Sequence, residues 1–193
     1  MYAMNENELF DAAWDNDVTA IRRAIANGAD PNKQHPRAGT LPLQLACQND
    51  ATDAIKELLD AGARADAVFT RVSRVDERLF ADHVPLMYVQ SVAAAKLLID
   101  AGAKLESHDA RGWTALVYAI FGGKEELTSY LLECGASLEV RPLLDGKEMT
   151  LPEFLDDAIA FIEHNAPPEK AEAQTHLARM KTVRDLVKCH KRA

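Results

Sequence analysis

Gly112-Trp113-Thr114-Ala115-Leu116-Val117-Tyr118-Ala119 is the stretch that decides how this chain is read, and Gly39-Thr40-Leu41-Pro42-Leu43-Gln44-Leu45-Ala46 is its partner upstream. Each opens a short apolar segment of helical period, and each is followed at a fixed distance by a Gly-Ala pair. The step from Pro42 to Gly62 equals the step from Ala115 to Gly135. The same step counted back from Gly28 lands on Glu8, followed by Leu9 and Ala12. Gly-Ala pairs recur at Gly28, Gly62, Gly102 and Gly135, with the first and last intervals nearly equal and the middle one wider. Each closes an apolar run: Ile21 to Ile25, Ile55 to Leu59, Ala95 to Ile99, Tyr130 to Leu132. A glycine after a helical run is a C-terminal stop, because it takes positive φ without a Cβ clash. A recurrence kept this regularly means a stack of supersecondary units, none of which buries its apolar face alone.

The local chemistry agrees with paired helices. Ala12, Ala46 and Ala119 are small enough to let neighbouring inner helices approach closely. Asn16, Asp50 and Gly123 fall between the two helices of a pair, and these are the residue types that best tolerate a left-handed turn. Pro42 and Pro85 stand at the first turn of an inner helix, where a missing N–H costs nothing.

The pattern resembles the ankyrin repeat, whose unit reads roughly G-x-T-P-L-H-x-A, then a helix-turn-helix, then L-L-x-x-G-A. Gly102 to Ala119, with Leu105, Asp109, Gly112, Thr114 and Leu116, is the closest match, and Gly28-Ala29-Asp30-Pro31-Asn32 is also typical. The resemblance covers about residues 8 to 140. It implies an all-α solenoid of stacked helix-turn-helix units with β-turn fingers. About four repeats are expected over residues 1–140, and a degenerate repeat with a helical C-terminal cap over 141–193.

Two regions depart from the period. The stretch from Gly62 to Pro85 is longer than its counterpart from Gly28 to Pro42, so an insertion is expected near residues 66–82 of the third unit. Val68 to Val75 alternates apolar and polar residues, which suits a β-hairpin finger or a short extra helix. The stretch from Pro85 to Gly102 is shorter than the regular step, so the helix pair there is expected to lose its inter-helix turn near Gln90-Ser91. Near the C-terminus, Leu151 to His164 reads as a helix broken by Pro167-Pro168. A longer helix is expected from Glu169 to His190, with Leu177, Met180, Val183, Leu186 and Val187 on one stripe.

Composition narrows the function. Of 193 residues 48% are hydrophobic but only 6% aromatic, and the apolar content is carried by Ala and Leu, which suits close-packed helices. The formal net charge of -8 argues against a general nucleic-acid binder. The charge is uneven: -12 up to His164 and +4 from Asn165 onward, an acidic body with a basic tail, or simply solvated helix faces. Cys47, Cys134 and Cys189 are too far apart for a zinc knuckle or a disulfide framework. Met1 to Phe10 lacks the apolar core of a signal peptide, and no apolar run approaches the ~20 residues that span a bilayer. A cytoplasmic protein, monomeric when free, with no membrane, metal, cofactor or nucleic-acid partner, is the expectation.

No nucleophile-base pattern, phosphate-cradling loop or H-E-x-x-H stands in the sequence, so no catalytic residue is assigned. His35 and His108 fall in finger loops and His176 is isolated, and Cys47 reads as a small buried apolar residue. What remains is a binding surface. Ankyrin proteins bind partners with finger tips and the concave face of the inner helices, which on this chain puts Asp11, Trp14, Leu45, Gln48, Tyr88, Tyr118 and Phe121 on that face. Trp14 and Phe121 hold equivalent positions, as do Tyr88 and Tyr118. Such aromatics serve as interface anchors, or they fold over their own repeats as core. Trp113 precedes a helix start and is read as partner contact or finger packing. Arg71, Arg74 and Arg78 of the insertion meet an acidic partner, or pair with Asp76 and Glu77.

The functional expectation is a non-catalytic protein-protein interaction module. A small acidic ankyrin chain resembles bacterial single-domain ankyrin proteins, some of which are immunity or inhibitor proteins that plug a toxin or enzyme. The alternative is a host-directed effector or adaptor using the same surface.

Overall fold

The computed structural model describes residues 3–72, 79–144, 146–165 and 171–190, and these form two compact units, Met1–Lys104 and Leu105–Ala193. In the first unit, helices α1 (Ala3–Trp14) and α2 (Val18–Ala26) form one pair and α3 (Pro42–Gln48) and α4 (Thr52–Asp60) the next. A hairpin of β1 (Phe69–Val72) and β2 (Leu79–His83) follows, then a single 3-10 turn (Pro85–Tyr88) and α5 (Val92–Asp100). The inner row runs α1, α3, 3-10 turn, and the outer row runs α2, α4, α5, each packing on its neighbour. Leu9, Ile21, Leu43, Ile55, Leu58, Leu86 and Leu98 are fully buried between the rows.

The punctuation read from the sequence is what shapes these pairs. Gly28, Gly62, Gly102 and Gly135 all have φ between +90° and +92°, and Asn16, Asp50 and Gly123 turn the chain at φ +58°, +53° and +61°. Pro42 and Pro85 each open their inner element. The turn residues also join one pair to the next. Asn16 Oδ1 accepts the Ala54 N–H at 2.8 Å, capping α4, whose own N-cap Ala51 has no side chain to do so. Asp50 Oδ1 accepts the Ser91 hydroxyl at 2.6 Å, while Ser91 Oγ accepts the Ala94 N–H and caps α5. In the fingers, the Asn32 side chain bridges Gly62 O and Arg64 N, at 2.9 and 2.8 Å.

In the third pair the inter-helix turn near Gln90-Ser91 is lost as expected, and the inner helix is itself reduced to one 3-10 turn. Val89 and Ser91 are extended, so the left-handed turn of the other pairs is replaced by straight chain. Neither Gln90 nor Ser91 sits at positive φ, and Val89 is buried, which holds the extended segment against the core. The insertion adopts the hairpin expectation, antiparallel, with a bulge between Phe69 and Arg71.

In the second unit, α6 (Ala115–Phe121) and α7 (Glu125–Glu133) make a regular pair. A short hairpin, β3 (Leu143–Leu144) with β4 (Lys147–Glu148), leads to α8 (Leu151–Asn165) and α9 (Ala171–His190). Glu153 reaches back to the start of α8 as one arm of a capping box, its Oε2 accepting both the Thr150 N–H and its hydroxyl at 2.8 Å. Leu177, Met180, Val183 and Val187 are the buried stripe of α9, and Leu186 is half-buried at its edge. Pro167, Pro168 and Glu169 lie outside the described residues.

Candidate functional site

The inner-row residues of the first unit separate into exposed and committed groups. Trp14 closes α1 and is 45% exposed, and its carbonyl accepts the Asn49 side-chain amide at 2.6 Å, so the backbone beneath the ring is fixed. Asp11 is exposed, and Leu45 and Gln48 are half-buried one repeat further on, with Gln48 Oε1 accepting from Gln44 Nε2 at 3.2 Å. Tyr88 is bound to the base of the finger. Its hydroxyl lies 2.8 Å from His83 Nδ1, and its ring packs 5.6 Å from both Phe69 and His83. Arg71 lies on β1 opposite Phe80, whereas Arg74 and Arg78 lie outside the described residues.

A groove of about 540 Å³ opens along α1 and α2, lined by Asn7, Glu8, Asp11, Asp15 and Asp17. Two of its carboxylates already have structural duties. Glu8 pairs with Arg23, and Asp17 Oδ1 caps α2 through the Ala20 N–H at 2.9 Å.

The second unit holds a polar and aromatic cluster built around Asp109, which is 2% exposed. Asp109 Oδ1 accepts the Arg111 and Trp113 N–H groups at 2.8 and 2.9 Å. Its Oδ2 accepts the Arg111 guanidinium at 3.1 Å and the Tyr118 hydroxyl at 2.9 Å. The Arg111 guanidinium lies 4.1 Å from the Trp113 ring centroid, a cation–π stack. Trp113 is buried and its indole N–H donates to Leu143 O at 3.1 Å, so its ring is engaged in finger packing and offers no open surface. Around it stand Tyr118, Phe121 and Phe154, with centroids 5.4, 5.3 and 5.2 Å away. Of these rings Phe121 is the most exposed, at 41%, while Tyr118 is half-buried.

The family pattern for ankyrin repeats in many copies matches residues 9–59, and the pattern for the single ankyrin repeat matches residues 111–141. The chain is an ankyrin-repeat protein. Among curated proteins it is similar to neurogenic locus notch homolog protein 2 of Homo sapiens and of Mus musculus, 30% identical in each case over 163 residues, or 70% of this chain. It is also similar to the SH3 and multiple ankyrin repeat domains protein 2 of Homo sapiens, 32% identical over 117 residues, or 60% of this chain. The chain spans only 6% of the length of each of these relatives.

The ankyrin-repeat family is a non-catalytic interaction module. Among the described residues no His, Cys, Asp and Glu group has the spacing to hold a metal ion, and no helix is long and apolar enough to cross a membrane. Burial pushes the Cys47 thiol far above its usual range, which removes it as a nucleophile. Reasoning from the sequence missed Arg111, whose signal was a cation just upstream of Trp113. It also missed Arg179, and it read His176 as isolated, whereas the packing of α9 brings both to the α6–α7 turn.

Proposed function

We propose that this chain is a non-catalytic module that binds another protein through the solvent-facing ends of its inner helices. Ankyrin repeats imply protein-protein interaction, and the observation that carries the proposal is the placement of two aromatics. Trp14 and Phe121 hold equivalent positions at the last turn of their inner helices. They are 45% and 41% exposed, the large apolar side chains of the described inner helices that face solvent. Exposed, pre-positioned aromatics on rigid helices are the residues that anchor protein interfaces.

Narrower readings draw on less. An immunity or inhibitor role is supported by the net charge of -8 and by no relative. An effector or adaptor role would use the same surface. A reducing, cytoplasmic setting fits three cysteines that are all free thiols.

Affinity capture with the tagged full chain tests the proposal, beside a Trp14→Ser/Phe121→Ser variant that still melts cooperatively. One stoichiometric protein held by the native chain and lost by the variant supports it. Capture of nothing above background, or equal capture by both chains, overturns it.

A further inference from the structure

The second unit carries an exposed aromatic, Phe121, next to a turn against which α9 packs Arg179 and His176. Phe121 ends α6, and the turn after it is Gly122-Gly123. A Cβ placed on Gly123 would stand 3.0 Å from the Arg179 Cβ and 3.5 Å from the His176 ring, so α9 presses these two residues directly against the turn. Asn16 and Asp50 take a similar φ at the equivalent turns, so it is the 3.0 Å approach of the Arg179 Cβ, more than the φ of +61°, that favours glycine at this position. The Lys124 side chain lies along Gly122. On the other flank the Phe121 ring is 5.3 Å from Trp113, over which the Arg111 guanidinium is stacked.

The charges around α9 are divided by face. Lys181 pairs with Glu163 at 2.6 Å, and Arg184 and Lys188 approach Asp156 at 3.9 and 3.7 Å, all on the side toward α8. Arg179 instead lies against the α6–α7 turn, on another side of the helix. It is exposed and makes no ion pair with any described residue. Glu125 and Glu126, the carboxylates next in sequence to the turn, are exposed on the first turn of α7 and do not engage it. Asp109 is buried and already bound to Arg111.

We propose that Phe121, Arg179 and His176 form a docking site for an acidic peptide segment of a partner protein, one apolar side chain seated on Phe121, a flanking carboxylate on the Arg179 guanidinium and the His176 ring beside them. The site rests on the binding-module reading and goes beyond it, because half of it comes from α9, which lies past the last residue matched by the ankyrin pattern. Charge complementarity chooses the occupant. Arg111 is already paired with Asp109, so the choice falls to Arg179: a basic segment would meet it as a like charge, whereas an acidic one gives it the counter-charge it lacks among the described residues.

Selection of a displayed random-peptide library on the immobilised full chain tests this. Enriched peptides are expected to carry Asp or Glu beside a Leu or an aromatic. Made as free peptides, they should bind at least about ten-fold more weakly to Arg179→Glu and to Phe121→Ala, and more weakly as salt rises, while Arg179→Lys keeps most of the affinity. Arg179 is exposed, so its substitution leaves the fold intact even if Phe121→Ala disturbs the packing on Phe154. Enrichment of basic or neutral peptides, acidic peptides indifferent to Arg179→Glu, or no enrichment at all overturns the proposal. Peptides lost on Trp14→Ala instead remove this site and leave the binding-module reading standing, whereas a chain that also captures no protein loses both.

Discussion

Replacing Asp109 with Ala should unfold the second unit at a much lower temperature than replacing it with Asn. The carboxylate is 2% exposed and receives two backbone N–H groups on Oδ1, with the Arg111 guanidinium and the Tyr118 hydroxyl on Oδ2. Alanine leaves the buried Trp113 N–H without an acceptor, at about 1–3 kcal/mol, and removes further bonds from the Arg111 N–H and the Tyr118 hydroxyl. The Arg111 guanidinium is 42% exposed and turns to water, so little is added for it. The total is about 3 kcal/mol, or ~10–20 °C in Tm for a unit of this size. Asparagine keeps an oxygen for the two backbone donors and loses only the ionic half, about 1 kcal/mol. Thermal melts followed by tryptophan emission in a Trp14→Phe background read the second unit alone, because Trp113 is then the sole tryptophan. Equal melting of the Ala and Asn variants, or an Ala variant within about 3 °C of the parent, would refute the claim that Asp109 organises the finger.

Asn16→Ala should cost the first unit about 2 kcal/mol, roughly half for the left-handed turn and half for the lost cap on Ala54, while Asn16→Gly restores the turn and costs about 1 kcal/mol. Urea melts compare them, and equal losses would contradict this division. With a thiol reagent on the native chain, exposed Cys189 should react quickly, and buried Cys47 only after denaturant is added. Labelling of Cys47 at the same rate as Cys189 would contradict its packing. Glu153 is held below the usual carboxylate range by its bonds to Thr150, so the stability it contributes is complete above that range and is lost as pH falls through its lowered value. Melts from neutral to acid pH should therefore lose less stability in Glu153→Gln, which starts lower, than in the parent; parallel curves would count against the cap.

Much of the fold was legible because its marks are local. A glycine at positive φ, an Asn or Asp in a left-handed turn and a proline at a first turn each satisfy constraints set within a few residues, so the repeat boundaries follow from spacing alone. The third inner helix was harder. Pro85-Leu86-Met87-Tyr88 has the composition of a helix start, and what shortens it is the reduced spacing to Gly102 together with burial of Val89. The exposure of the candidate surface residues was legible only in part. Trp14 and Phe121 are exposed as their positions imply, but Trp113 and Tyr88 have equivalent-looking aromatic character and are drawn into the Asp109 and His83 clusters, whose partners lie across loops. Arg179 carries no local signal, because its place beside Gly123 depends on how α9 packs.

Hydrogen–deuterium exchange on the full chain, with and without its captured partner, tests the central claim most directly. The account predicts slowed exchange at the inner-helix ends, in the segments that carry Trp14, Gln48 and Phe121, with the outer helices α2, α4, α5 and α7 unchanged. Protection confined to those outer helices, with the inner-helix ends exchanging as in the free chain, would contradict it.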